Sequence, residues 1–365
     1  MKILVDARAL GKRPSGIGMY LYSFLRGLSS YENIQLELLT DVTESAEIKE
    51  LEASGIPMHK YGKLIEKSVG VYVYFRFVQK MIYEVKPDIF WECNNLIPVK
   101  LKNPTGKVIV TIHDIFPITV PEGYGIVYRC YFRYNLQKTL RNVDAVLYDT
   151  EYAKQSLIEH NAKAAQIKNL VTYIIMDDMP ELETANKGYY LYIGNLEKRK
   201  GTDLLLKAYV NYRKQGGTKE LLLGGKIRSD EIEKLLAECS YEVDGIRYLG
   251  YVDNQQKYEL YAGCDAFVFP SRGEGFGMPV VEALGYNKTV IVSSLEIFQE
   301  IAGDAVQYFD YSNVDEQNVE NLTQALLIPQ RADACKCKTV VKKYETSCLA
   351  GQLVELFEEL TEGYR

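Results

Sequence analysis

Tryptophan occurs once and histidine three times in this sequence, and no window of eighteen residues is both apolar and free of charge. The last absence excludes a helix that crosses a bilayer, which needs about 20 largely apolar residues. A basic excess is also missing: 43 Lys and Arg face 49 Asp and Glu, for a formal net charge of -6. That balance argues against nucleic acid as the main partner, because phosphate backbones are held by clustered cations. Regular cysteine spacing is missing too. Cys93, Cys130, Cys239, Cys264, Cys335, Cys337 and Cys348 make an odd set without a repeated interval, a poor disulfide framework. Cys335 and Cys337 are separated by one residue, not the two of common zinc and redox pairs, so no metal site is expected. Reduced thiols fit the cytosol. Asp6 interrupts the first apolar run, so no signal peptide is expected. The chain reads as cytoplasmic, at most attached to the inner face of a membrane.

What is present is ordinary for a globular protein: 365 residues, 47% hydrophobic and 25% charged. That length suits two domains, each able to bury a core without staples. Short β-branched runs alternate with longer amphipathic stretches. Strands are expected at 2–6, 35–40, 107–112 and 145–148, then at 189–194, 220–224, 246–249, 266–269 and 289–292. Such alternation predicts parallel sheets covered by helices on both faces. The series restarts after the acidic, aperiodic stretch 176–184, which reads as an inter-domain linker. Residues 339–362 read as one long helix with no strand after it. Two such domains leave a crevice, and open α/β sheets bind ligands beyond the carboxyl ends of their strands.

Three segments carry candidate chemistry. Gly16 and Gly18 follow the first strand and open a helical pattern. Glycines there let backbone approach a ligand and expose helix N–H groups to an anion, although a tight turn without ligand has the same pattern. Lys198-Arg199-Lys200-Gly201 follows the strand at 189–194 and precedes a helix. Its cations could neutralise a diphosphate through charge-assisted hydrogen bonds, or form a solvated basic turn. The most informative segment runs from Phe269 through Pro270, Ser271, Glu274, Gly275, Phe276, Gly277, Met278 and Pro279 to Glu282. A buried strand there enters a glycine-rich loop that turns into a helix near Pro279, a residue suited to a first helical turn. Glu274 and Glu282, eight residues apart across the bend, can reach different parts of one ligand. A carboxylate accepts both hydrogen bonds of a vicinal diol, as in a sugar or a ribose. An acid near a helix start also stabilises the dipole by ~0.5 kcal/mol. That explains one acid, not its combination with the glycines, the proline and the second acid.

At these residues the chain resembles family 4 of the glycosyltransferases, with their GT-B architecture. The family's Glu-x7-Glu motif matches Glu274 and Glu282, and its Pro-Ser…Glu-Gly-Phe-Gly-x-Pro surroundings match Pro270, Ser271, Glu274–Gly277 and Pro279. Val110 to Pro117, containing His113 and Asp114 and followed by Pro121 and Glu122, looks like the family's His loop. Ser15 to Tyr20 looks like its first glycine loop, and Gly194 to Gly201 like its donor diphosphate site. Residues 249–252 and 260–265 match the approach to the acidic loop.

The resemblance implies two Rossmann-like domains facing each other across a cleft. It places an acceptor-side domain at 1–175, a nucleotide-sugar domain at 186–340, and a helix at 341–365 crossing back to the first. It implies a retaining hexosyltransferase using a GDP-mannose or UDP-sugar donor and a glycan or lipid-linked acceptor, in polysaccharide or glycolipid synthesis. Glu282 would hold the ribose. Glu274 would hold the transferred sugar, assisted by the N–H groups of Gly275 to Met278. Arg199 and Lys200 would hold the diphosphate, with no metal or other cofactor required. His113 would face the donor sugar and the reaction centre, and Gly16, Gly18 and Asp114 would contact substrate. Many relatives carry Arg directly after the glycine matching Gly194, where this chain has Asn195.

Rival readings are a sugar-nucleotide epimerase, a phosphorylase on the same architecture, and a non-catalytic partner subunit. A phosphorylase of the glycogen type needs a pyridoxal phosphate lysine and usually a longer chain. An NAD dehydrogenase lacks support, because no complete Gly-x-Gly-x-x-Gly opens either half. Residues 60–86 hold Lys60, Lys63, Lys67, Arg76, Lys80 and Lys86 against Glu66 and Glu84, with Tyr72, Tyr74, Phe75 and Phe77 among them. This is either a patch for an anionic membrane or a core-facing helix with a charged outer face.

Overall fold

The computed structural model describes residues 1–11, 14, 16–41, 45–63, 65, 68–103, 105–121, 124–176 and 179–362. Ser15, Glu66, Lys67, Glu122 and residues 177–178 of the expected linker lie outside the described residues. The chain divides into two compact units, Met1–Ile175 with Tyr344–Arg365, and Met176–Lys343.

In the first unit β1 (Lys2–Asp6), β2 (Gln35–Thr40), β3 (Met58–Lys60), β4 (Ile89–Glu92), β5 (Lys107–Ile112), β6 (Ala145–Tyr148) and β7 (Lys168–Val171) form one sheet. Its order is β3-β2-β1-β4-β5-β6-β7, and every pairing is parallel. Between the strands run α1 (Gly16–Ser29), α2 (Ala46–Ala53), α3 (Ser68–Val85), the short α4 (Phe116–Thr119), α5 (Ile126–Leu140) and α6 (Glu151–His160). Covered on both faces, the central strands are continuous apolar runs: β4 and β6 are buried along their whole length. Strand order reverses between β1 and β4, the position where doubly wound sheets open a ligand crevice.

The second unit repeats the plan. β8 (Tyr189–Ile193), β9 (Glu220–Gly224), β10 (Ile246–Gly250), β11 (Ala266–Phe269), β12 (Thr289–Ser293) and β13 (Gln307–Phe309) pair in parallel in the order β10-β9-β8-β11-β12-β13. Its helices are α7 (Thr202–Lys214), α8 (Asp230–Glu242), α9 (Asn254–Gly263), α10 (Met278–Gly285), α11 (Glu296–Ala302), α12 (Asp315–Leu327) and α13 (Ala334–Lys342). Here the reversal falls between β8 and β11. The described part of the expected linker has no regular secondary structure and belongs to this unit, tied down by the Tyr286 hydroxyl donating to the Pro180 carbonyl at 2.8 Å.

The single helix expected over 339–362 is two helices. α13 ends at Lys342 and α14 (Thr346–Thr361) starts after Glu345, whose backbone is extended. The break lies at the boundary between the units and lets Tyr344 bury its ring. α14 packs on α1, where a Cβ at Gly27 would come within 2.9 Å of Thr346. It also sets Phe357 edge-on against Trp91 of β4, at 6.1 Å.

Candidate active site

The second unit's reversal point gathers the cations after β8 and the acidic loop after β11. After β8 the chain makes a 3-10 turn, Lys198–Lys200, and enters α7 through Gly201 in the left-handed region at φ 69°. Only glycine fits there, because a Cβ would lie 1.8 Å from the Pro270 carbonyl oxygen. The two loops are cross-linked where they touch. The Arg272 N–H donates to the Arg199 carbonyl at 2.8 Å, and the Ser271 hydroxyl lies 3.2 Å from the same oxygen. Arg272 itself is clamped by Asp203 at 2.6 and 2.8 Å and by Asp315 at 3.0 Å.

This weld brings Lys200 onto Glu274. Its ammonium reaches both carboxylate oxygens at 2.6 Å, and the Ser271 hydroxyl donates to one of them at 2.7 Å. Glu274 retains 5% exposure. Lys200 also lies 5.3 Å from the centre of the Phe269 ring. Arg199 turns the other way, donating to the Gly273 carbonyl at 2.8 Å and to Glu197 at 2.9 Å. Two residues read from the sequence as serving different parts of a ligand, Lys200 and Glu274, are therefore each other's partners.

The loop enters α10 through Gly277, at φ 98°, with no side-chain cap. In that first turn Pro279 has no N–H to satisfy, and the Val280 N–H donates to the Gly277 carbonyl at 2.9 Å. Glu282, in the second turn, is 5% exposed and is met by one face of α9. Lys257 and Tyr261, four residues apart on that face, donate to its two oxygens at 2.6 and 2.9 Å. Burial pushes the Tyr261 hydroxyl well up, and the adjoining carboxylate adds to this. Burial pulls Lys257 down, but Glu282 outweighs it and the net direction is up, so the lysine stays charged. Both acids of the loop thus have a lysine and a hydroxyl as partners.

In the first unit, His113 follows β5 and is 3% exposed. Its Nδ1 lies 2.7 Å from Asp149 after β6, and its Nε2 lies 2.9 Å from the Cys93 carbonyl. Both partners are acceptors, so the ring fits best as a two-donor imidazolium. Burial alone would lower its pKa, but Asp149 and the two hydrogen bonds outweigh burial and raise it. Asp114 accepts from the Phe116 N–H at 3.1 Å and starts α4. At Gly18 a Cβ would come within 2.4 Å of the Ala9 carbonyl oxygen, so this glycine lets α1 pack on the 3-10 turn Arg8–Leu10. Gly16 begins α1 and is exposed.

Several neighbours escape a reading of the sequence: Arg272, Lys257 and Tyr261 around the acids, and Asp6, Arg8, Glu92 and Asp149 at the strand ends of the first unit; Ser271 is matched as part of the motif, but not its bond to Glu274. The i, i+4 pairing of Lys257 with Tyr261 and the acids ending two apolar strands were the available signals. In residues 60–86, the structure puts Tyr74, Phe75, Val78, Met81 and Ile82 of α3 in the core and leaves Tyr72, Val73 and Tyr83 exposed. Tyr74 and Phe75 therefore belong to no surface patch.

Residues 176–339 match the family described as glycosyl transferases group 1. O-antigen chain mannosyltransferase B of Escherichia coli is 26% identical over 339 residues, covering 86% of this chain and 88% of that protein. O-antigen chain mannosyltransferase RfbU of Salmonella typhimurium is 23% identical over 341 residues, covering 89% and 92%. The crystal structure of Anabaena HepE in complex with UDP and glucose superposes with a TM-score of 0.71, at 17% identity, over 99% of this chain and 100% of that one. At that identity the likeness speaks for the fold, which is GT-B.

Proposed function

We infer that this chain, whose residues 176–339 match the glycosyl transferases group 1, moves a hexose from a nucleoside diphosphate sugar onto a glycan or lipid-linked saccharide, with retention at the anomeric carbon, in the synthesis of a cell-surface polysaccharide. The observation that carries this reading is the pairing of Lys200 with Glu274 and of Lys257 with Glu282 on one strand-exit loop and its neighbours. The mannosyltransferase relatives favour GDP-mannose as donor. Glu282, its carboxylate oriented by Lys257 and Tyr261, accepts from the ribose diol. Glu274 accepts from hydroxyls of the transferred sugar. Lys200, at the carboxylate's edge, and Arg199 take the diphosphate. As the anomeric C–O bond breaks, charge grows on the leaving diphosphate, and fixed cations with an uncapped helix start stabilise it there. These groups do so without a divalent metal.

Turnover of GDP-mannose to free GDP, slow without acceptor and accelerated by a glycoside, tests the reading. Isomerisation of the nucleotide sugar in its place would mark an epimerase. Glu282→Ala is expected to weaken GDP binding by roughly 1–3 kcal/mol, since hydrogen bonds to a charged group are lost. Calorimetry measures this directly, and undiminished affinity would remove the ribose assignment.

The same reading includes a peripheral contact with the inner face of a membrane, carried by the first unit. α5 has three cations, Arg129, Arg133 and Lys138, and no acid in its fifteen residues. Ile126, Val127 and Tyr134 of α5 stand 67%, 81% and 66% exposed. Apolar and tyrosyl side chains mixed with arginine suit the boundary of an anionic bilayer. The protein is expected to co-sediment with vesicles containing phosphatidylglycerol at low salt and to leave them as salt is raised. Equal recovery with neutral vesicles would argue against it.

A further inference from the structure

The reversal point of the first sheet holds a charged cluster that the reaction described above does not use. Asp6 ends β1 and Glu92 ends β4, the two strands flanking the reversal. Both acids are fully buried, and Arg8 joins them. Its Nε donates to Asp6 at 2.8 and 2.9 Å, and its Nη2 lies 2.7 Å from Asp6 and 3.2 Å from Glu92. The Tyr74 hydroxyl donates to Asp6 at 3.2 Å, and the guanidinium lies 4.3 Å from the centre of that ring. One edge and one face of Arg8 are thus fixed.

The remaining edge points outward. Among the described residues, Nη1 has no hydrogen-bond partner. The buried unpaired side-chain atoms there are Asn94 Nδ2, the Tyr148 hydroxyl and Asp149 Oδ1; Nη1 is not one of them, and the Arg8 side chain keeps 13% exposure. So two N–H donors face solvent from a guanidinium that cannot turn. The Asn94 N–H donates at 3.1 Å to the same Glu92 oxygen that Arg8 Nη2 approaches, and its buried Nδ2 lacks a partner among the described residues. Tyr131 of α5 is close enough to Arg8, Tyr72 and Tyr128 to be influenced by their charges, and it stacks on Tyr128 at 6.3 Å.

We propose that Arg8 is a sugar-recognition residue: its Nη1 donates to hydroxyl or ring oxygens of a neutral glycoside acceptor, with the tyrosines of α3 and α5 beside it. This rests on the transferase reading and deepens it by naming where the acceptor is held. Charge decides for a neutral ligand over a phosphate. Two acids offset the one arginine, and burial followed by the proximity of Asp6 pushes the Glu92 carboxyl well up, so the cluster sits close to neutrality. A guanidinium so offset keeps its directional donors but loses the net positive field that draws anions. Stability alone does not require the arrangement, because apolar packing often replaces buried ion pairs without loss.

The test uses the full chain with GDP-mannose as donor and octyl α-mannoside as acceptor. Arg8→Lys keeps a cation between the acids but loses the outward pair of donors. It is expected to raise the acceptor KM by roughly 10–100-fold. GDP affinity and acceptor-free release of GDP should stay at the wild-type level. The double substitution Arg8→Met with Glu92→Gln, which leaves one buried acid fewer to compensate, should give the same split, with thermal melting reporting whether each variant is folded. Should both folded variants keep the wild-type acceptor KM, or should the wild type bind GDP yet take no glycoside, the assignment of Arg8 is overturned. A wild type that neither binds GDP nor turns over GDP-mannose overturns the transferase reading instead.

Discussion

Lys200→Ala is expected to lower sugar transfer by about 100-fold or more, by analogy with loss of one preorganised oxyanion donor at ~3 kcal/mol. Lys200 is held against Glu274 by both carboxylate oxygens and stands over the Phe269 ring, so it arrives at the reaction already placed. Its removal also leaves Glu274, 5% exposed, with the Ser271 hydroxyl as its side-chain partner among the described residues. Turnover should therefore fall from two causes, weaker leaving-group stabilisation and displacement of Glu274, the acid proposed to hold the sugar. Arg199→Ala should be damaging as well, because Asn195, next to Gly194, supplies no charge that could take over from it. Nucleoside affinity should change little in either variant, since Glu282 and its partners lie on α10 and α9. Initial rates with and without a chelator, beside nucleoside and GDP binding, separate these effects. Near-normal rates in both variants without metal would move the diphosphate to other groups.

Gly201→Ala is expected to destabilise the second unit by roughly 2–5 kcal/mol, the sum of a left-handed non-glycine residue at about 1–2 and a steric clash at about 1–3. The φ of 69° supplies the first part, and the 1.8 Å approach to the Pro270 oxygen supplies the second. Gly216 offers the control. Its φ is 88°, but a Cβ there would meet nothing within 4 Å, so Gly216→Ala should show the backbone part alone. Denaturant unfolding of the three proteins, followed by a probe in the second unit, gives the comparison. Equal losses at the two glycines would mean that the loops part readily and that the contact at Pro270 contributes nothing.

Most of the architecture is legible in the sequence because parallel strands buried on both faces announce themselves as continuous apolar runs. The nine strands expected from such runs all occur. Those not anticipated fall into two kinds. β3, β7 and β13 are edge strands of three or four residues with mostly half-buried positions, so they show neither a solid apolar run nor a clean alternation. β4 is central but only four residues long, and its last residue is an acid. Missing it hid Glu92, and with Glu92 the reversal point of the first sheet. In the second unit the reversal point was found through its glycines and its two acids. Their lysine partners were not matched to them, because Lys200 and Glu274 are 74 residues apart and Lys257 and Glu282 are 25 apart. His113 was placed correctly at a strand end. What the sequence could not convey is that its ring is enclosed between Asp149 and Cys93, since both are brought there by neighbouring strands.

The weld between the turn at Lys198–Lys200 and the loop after β11 bears on how this site could be redesigned. Backbone meets backbone at Gly201 and Pro270, and the Arg272 N–H donates to the Arg199 carbonyl, with the Ser271 hydroxyl 3.2 Å from the same oxygen. Neither segment can lengthen, shorten or change its path without forcing the other to follow. For exchange of donor specificity with another glycosyltransferase, the transplantable cassette is therefore the pair of loops with Arg272 and its two aspartates, not the acidic loop alone.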